Sequence, residues 1–212
     1  MAPTATPPSP TPPSSPTPPS SPPPSPYELR FDSGRCCLDL LATAHPDERL
    51  DQVERLAAWL TGSGLLPEGT PLRHAGPEWL DAFRELRADI GELVRGELEG
   101  RPAPGALDRV NARARPAPPA PRAARAADGS LIRALHTAPT CTALLAAVAQ
   151  DAVLLLTDPA ARARLRRCAG DNCPIIYLDT SRGRRRRWCS SEVCGNRERV
   201  ARHRRRAALA QP

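Results

Sequence analysis

Apolar positions along the chain fall into short periodic blocks separated by proline and glycine. Tyr27, Leu29 and Phe31 alternate with polar residues, which predicts a short strand. Ser33-Gly34 turns the chain, and Cys36 to Thr43 is a mostly apolar run suited to a buried helix. Leu50, Val53, Leu56, Ala57 and Leu60 recur at helical spacing, and Gly62 closes that helix. Pro77 suits a first helical position, and Leu80, Phe83, Leu86, Ile90 and Leu93 then form one stripe that ends near Gly96. Leu107 and Val110 mark a shorter helix. Asp128-Gly129 signals a hairpin turn, although its upstream flank is rich in alanine. Thr140 stands as N-cap of a helix reaching Leu156. That helix is apolar nearly all round, at Leu144, Leu145, Val148, Val153 and Leu154, so it is predicted to be the central core helix. Asp158-Pro159 ends it.

Composition adds a leader and a division of charge. Thirteen of the first 26 residues are proline, mixed with serine and threonine. Such a segment cannot bury enough apolar surface to offset its ordering entropy. Residues 1–26 are therefore expected to be a disordered spacer of polyproline-II character. Every one of the 30 basic residues is arginine, and the formal net charge is +7. Residues 1–160 hold 15 arginines against 19 acidic residues, a net −4. Residues 161–212 hold 15 against four, a net +11. This asymmetry points the C-terminal quarter at a polyanion.

No apolar run approaches the roughly 18–20 residues a membrane span needs. The N-terminus lacks the basic start and apolar stretch of a secretory signal. The expectation is a cytoplasmic protein with no membrane association and reduced thiols.

Within the basic segment, Cys168, Cys173, Cys189 and Cys194 form two Cys-x4-Cys pairs. Two close pairs joined by a returning loop suit a tetrahedral zinc site. Four ligands leave no open position, so one structural Zn²⁺ is expected, without a catalytic role. Ile175–Leu178 and Arg185–Trp188 are predicted to pair as a hairpin through a Ser181-Arg182-Gly183 turn. Arg167, Arg187 and Arg197 adjoin the ligands and are candidates to donate to the sulfurs. A helix follows Cys194 to about Ala208. On a wheel, Val193, Val200 and Ala207 share one side, which can pack onto the hairpin or the body. Arg199, Arg202 and Arg206 cluster opposite, with Arg205 flanking. These four, with Arg184, Arg185 and Arg186 at the hairpin tip, are the candidate nucleic-acid contacts, because arginine forks suit phosphate and guanine edges. Trp188, beside a ligand, is expected to pack on the helix.

The strings Tyr177-Leu-Asp179-Thr-Ser181-Arg182, Arg186-Arg187-Trp188-Cys189-Ser190 and Cys194-Gly195-Asn196-Arg197 resemble the CGNR zinc finger family. The resemblance assigns zinc to the same four cysteines. In that family the finger usually follows an ABATE domain, a stress-induced transcription regulator by description. Phe31-Asp-Ser-Gly-Arg with Leu38-Asp39-Leu40-Leu41-Ala42-Thr43 resembles that domain's opening. Leu56-Ala57-Ala58-Trp59-Leu60 with Ser63-Gly64-Leu65 resembles its next helix. The chain departs at Ala42, where the family commonly has asparagine, and at Arg199, where lysine is common.

The fold expectation is α+β: a mainly helical N-terminal domain with a few short strands over 27–160, a small four-cysteine finger of hairpin and helix over 161–207, and a tail over 208–212. The expected function is a DNA-binding transcriptional regulator. The alternative is a zinc-stabilised module for RNA or an acidic protein. The sequence shows no phosphate loop, H-E-x-x-H or G-x-S-x-G pattern, so no enzyme and no catalytic residues are expected. Cys36 and Cys37 read as core residues. Cys141 sits at a helix start, where the dipole could lower its pKa. His45, His74, His136 and His203 lack ligand spacing, and Trp59 and Trp79 read as packing residues. The signal sensed, the DNA sequence bound and the oligomeric state have no signature in the sequence.

Overall fold

A computed structural model describes residues 29–209. The proline-rich leader, Tyr27, Glu28 and residues 210–212 lie outside the described residues.

The fold is α+β. Among the described residues, seven helices run over α1 (Cys36–Ala42), α2 (Val53–Gly62), α3 (Pro77–Glu99), α4 (Pro104–Ala114), α5 (Cys141–Thr157), α6 (Pro159–Arg162) and α7 (Cys194–Leu209). Two antiparallel ribbons pair β1 (Pro121–Arg125) with β2 (Leu131–Leu135), and β3 (Leu165–Arg167) with β4 (Ile176–Leu178). Among the described residues, no helix is long and apolar enough to cross a membrane.

α5 is the centre of the body. Its buried side chains occur on nearly every face, at Leu144, Leu145, Ala146, Val148, Ala149, Ala152 and Leu155. Thr140 caps it as the sequence predicts, its hydroxyl accepting from the Ala143 amide at 3.2 Å. α3 turns Leu80, Phe83, Leu86, Ile90 and Leu93 onto the core and places Trp59 of α2 edge-on to Phe83, with centroids 6.0 Å apart. α1 is capped from a distance. Asp151 of α5 accepts from the Cys37 amide at 2.9 Å and pairs with Arg35 at 2.7 Å. A carboxylate at a helix N-terminus satisfies donors that have no partner within the helix.

The β1–β2 hairpin forms around Asp128-Gly129 despite its alanine-rich first strand. The turn supplies the reason: Asp128 Oδ1 accepts from both the amide and the hydroxyl of Ser130. Arg133 then ties the ribbon to the turn after α2 through the carbonyls of Gly64 and Leu65, at 2.6 and 2.7 Å.

Two expectations are corrected. Residues 29–31 form no strand. They run alongside the C-terminal region, and the Phe31 ring lies against Gly62, where a Cβ would sit 2.3 Å from Cζ. Residues 185–188 do not pair with β4 either. One edge of β4 is taken by β3, in the register Leu165↔Leu178 and Arg167↔Ile176. On its other edge, the Leu178 amide donates to the Ser33 carbonyl at 2.8 Å. With both edges occupied, no ladder remains for 185–188.

The segment before α1 is what carries the C-terminal region onto the body. Gly34 (φ +88°) sits where a Cβ would press on Leu178 at 3.2 Å. Leu165, Ile176 and Leu178 join the same buried cluster as the helices. Asp39, 6% exposed, accepts from the Ser33 amide at 2.9 Å and so fixes the loop onto α1. Burial raises the Asp39 carboxyl from its ordinary value of 3.8 to about 6.

Gly34→Ala is expected to cost more than Gly129→Ala in urea titrations. Both positions have positive φ, which costs a non-glycine residue about 1–2 kcal/mol. Gly129 has open space around its Cβ position, whereas Gly34 adds the close approach to Leu178.

Asp39→Asn carries a pH signature. The folded state holds the Asp39 proton more tightly than the unfolded chain, so wild-type stability falls as pH rises from about 3.8 to about 6. The asparagine variant keeps an acceptor for Ser33 without that loss. It should gain on wild type across that window and hold a constant advantage above it, as measured by denaturation at pH 4.5 and pH 8.

Candidate metal centre

Four sulfurs converge where the ends of the C-terminal segment meet. Cys168 ends the β3 side, and its amide donates to the Ile175 carbonyl at 2.9 Å. Cys173 closes a tight turn in which its amide donates to Gly170 O and Asn172 takes φ 56°. Cys189 follows the arginine-rich loop, and Cys194 opens α7. The ligand atoms of all four lie within 4.8 Å of one another. Cys189 Sγ is 3.8 Å from Cys173 Sγ and 3.6 Å from Cys194 Sγ.

These distances suit a metal. A tetrahedron of sulfurs at the usual Zn–S bond length of about 2.3 Å has edges of about 3.8 Å. A disulfide would need about 2.05 Å, and all four cysteines are free. The surrounding backbone fits closely: the amides of Gly170 and Cys189 point at Cys168 Sγ at 3.4 and 3.3 Å. A Cβ on Gly170 would approach Cys194 Sγ to 3.3 Å. Three of the ligands are buried and Cys173 is half-buried. Burial pushes the Cys194 thiol up to about 12. The neighbouring Cys173 sulfur, followed by burial, pushes Cys189 further in the same direction. Thiols so placed stay protonated at neutral pH until a cation draws out the thiolate, and binding therefore releases protons.

The loop between the two pairs is organised by three side chains. Asp179, 1% exposed, accepts from the Ser181 amide and hydroxyl at 2.9 and 2.6 Å and from the Arg186 amide at 3.1 Å. The Ser181 hydroxyl holds its carboxyl below the usual range. The buried Tyr177 hydroxyl donates to Arg186 O at 2.6 Å. The Arg186 guanidinium stacks 4.6 Å over the Tyr177 ring and donates to the carbonyls of Trp188, Cys189 and Asp32.

The candidate contact arginines separate accordingly. Arg184 and Arg185 are exposed on the tip, whereas Arg186 is half-buried and donates inward to three carbonyls. On α7, Arg199, Arg202, Arg205 and Arg206 are all exposed. Arg199 reaches Ser191 O at 3.2 Å and Arg205 pairs with Glu198 at 2.9 Å. The first turn of α7 is fixed to the centre through Gly195 N to Ser190 O at 2.9 Å. Trp188 is half-buried between the start of α7 and Arg187, whose guanidinium lies 5.2 Å from the ring. Beyond that turn Val200 does not pack as expected and is 42% exposed, while the Ala207 side chain lies outside the described residues.

The arginines expected at the sulfurs are elsewhere. Arg167 pairs with Glu99 of α3, Arg187 stacks on Trp188, and Arg197 lines a cavity of about 580 Å³ beside the centre. That cavity lies between residues 29–32, His45 and Arg49 on one side and Cys173, Val193 and Arg197 on the other. Burial, then Arg197, Arg30 and Arg49, depress the His45 pKa. The guanidinium that does reach a ligand sulfur is Arg30, with two nitrogens each 3.5 Å from Cys189 Sγ. At 159 residues from Cys189, it leaves no spacing signal in the sequence.

The remaining cysteines agree with a core reading. Cys37 is fully buried, and burial raises Cys36 to about 12. Burial also raises Cys141 to about 11, the reverse of the dipole expectation.

Two family models match the chain. ABATE, described as "Putative stress-induced transcription regulator", covers residues 34–159, more than half of the length. The CGNR zinc finger covers residues 164–207. No curated protein matches.

Chelation is expected to lower a single melting transition, since the finger shares the core of the body. Free metal about a thousandfold above Kd contributes about 4 kcal/mol. In a chain of this size that corresponds to roughly 8–16 °C. Cys189→Ser should melt like the chelated wild type with or without added zinc. A separate low-temperature transition for the finger would contradict the shared core.

Proposed function

The chain belongs to the ABATE family and carries a CGNR zinc finger, and on that premise we propose that it is a transcriptional regulator that binds DNA. One structural zinc ion holds the four thiolates, fixes the arginine tip loop against the start of α7 and takes no part in a reaction. The chain acts by binding and not by catalysis, and it works in the cytoplasm. The helical body provides the regulatory part.

The observation that supports this reading is the exposure of α7. It is anchored through its first turn at the metal centre and presents Arg199, Arg202, Arg205 and Arg206 to solvent. Arg184 and Arg185 extend the same charge from the tip. Arginine side chains on a rigid helix can meet phosphates and guanine edges with two parallel hydrogen bonds. The body carries the opposite net charge, which directs a polyanion towards the C-terminal end.

If about five phosphates are contacted, log K should fall with log[salt] at a slope of about −4 to −5. Replacing Arg199, Arg202 and Arg206 together with alanine should flatten that slope by about 2–3 and abolish site occupancy in genome-wide binding maps. Affinity independent of salt, or preference for RNA or an acidic peptide over duplex DNA in competition, would replace this reading with the interaction-module alternative.

A further inference from the structure

We infer that Arg30 is a positioning residue for the metal centre, and that through it the ABATE body and the finger stabilise each other. The inference rests on the metal reading of the four cysteines and adds a residue and a coupling to it.

Arg30 approaches Cys189 from outside the finger. Both terminal nitrogens lie 3.5 Å from Sγ. The side chain is only 16% exposed, so these contacts are formed largely out of water. Asp32 orients the fork by accepting from Nη2 at 3.0 and 2.9 Å. The same Asp32 accepts through its backbone carbonyl from Arg186 Nη2 at 3.0 Å, and Arg186 also grips the Cys189 carbonyl. Cys189 is thus held at sulfur by Arg30 and at its carbonyl by Arg186, and both guanidiniums meet on Asp32. One residue further, Ser33 binds β4 through its carbonyl and Asp39 of α1 through its amide. A continuous run of hydrogen bonds therefore leads from a ligand sulfur into the body.

The charge balance gives this run its direction. Four thiolates around a divalent ion carry a net −2. A guanidinium donating to one sulfur offsets part of that charge and lowers the sulfur's basicity. Metal favours the thiolate, the thiolate favours Arg30 in place, and Arg30 in place orders residues 29–34. Linkage requires the reverse effect to be equal, so a docked N-terminal segment tightens metal binding.

The test compares full-length wild type with Arg30→Gln, Arg30→Lys and Arg182→Gln, the last removing the same charge from an exposed finger position. In chelator competition, Arg30→Gln should weaken zinc about 10–100-fold, as loss of a hydrogen bond to a ligand does elsewhere. Arg30→Lys should recover part of the loss, and Arg182→Gln should match wild type. With cobalt in place of zinc, Arg30→Gln should move the sulfur-to-metal charge-transfer band to lower energy, a shift that altered packing alone would not produce. In wild type, chelation should speed amide exchange across 29–35 together with the finger. Unchanged affinity and an unmoved band in Arg30→Gln would overturn the inference. So would chelation that loosens the finger and leaves 29–35 protected, a readout that stands even if Arg30→Gln fails to fold. Wild type that takes up no metal would instead defeat the reading of the centre itself.

Discussion

The convergence of four thiols is the constraint on which the C-terminal quarter depends. Between Cys168 and Cys194 the only regular structure is the three-residue strand β4, paired with a three-residue β3. Two short strands cannot stand alone in water. The loop that follows is held by Asp179, Tyr177 and Arg186, but these contacts fix only its middle. Its two ends meet at the sulfurs. A cation binding there closes both turns at once and brings the tip loop and the start of α7 into one rigid unit.

That unit is not a bead on a string. Leu165, Ile176 and Leu178 sit in the same core as α1, α3 and α5, and Arg167 reaches Glu99 at the end of α3. The loop at Ser33-Gly34 fills the free edge of β4 and leaves no room there for a side chain. The hydrophobic effect therefore joins body and finger, while hydrogen bonds near the sulfurs set how they meet.

Charge is distributed along the same division. Many acidic residues of the body are paired along the helices, such as Asp89 with Arg109 and Glu85 with Arg113. Exposed pairs like these contribute little to stability. The finger and α7 keep most of their arginines in solvent, where only Glu198 offers local compensation on the helix. Like charges on one helix repel, and a polyanion relieves that repulsion.

Local signals wrote much of this protein in advance. The stripe on α3, the Thr140 cap and the all-round apolar α5 follow from spacing alone, because helical period and capping are properties of neighbouring residues. The two cysteine pairs announced the ligand set for the same reason, since each pair is a single turn. What the tertiary structure alone decided was which distant segments meet. Where a strand was expected over 27–31, the described residues 29–31 form a strap, and β4 found β3 and Ser33 in place of 185–188. Arg30, in place of Arg167, Arg187 or Arg197, came to the sulfur. These outcomes depend on which edges and donors remain free once the core has packed, and no local window contains that information.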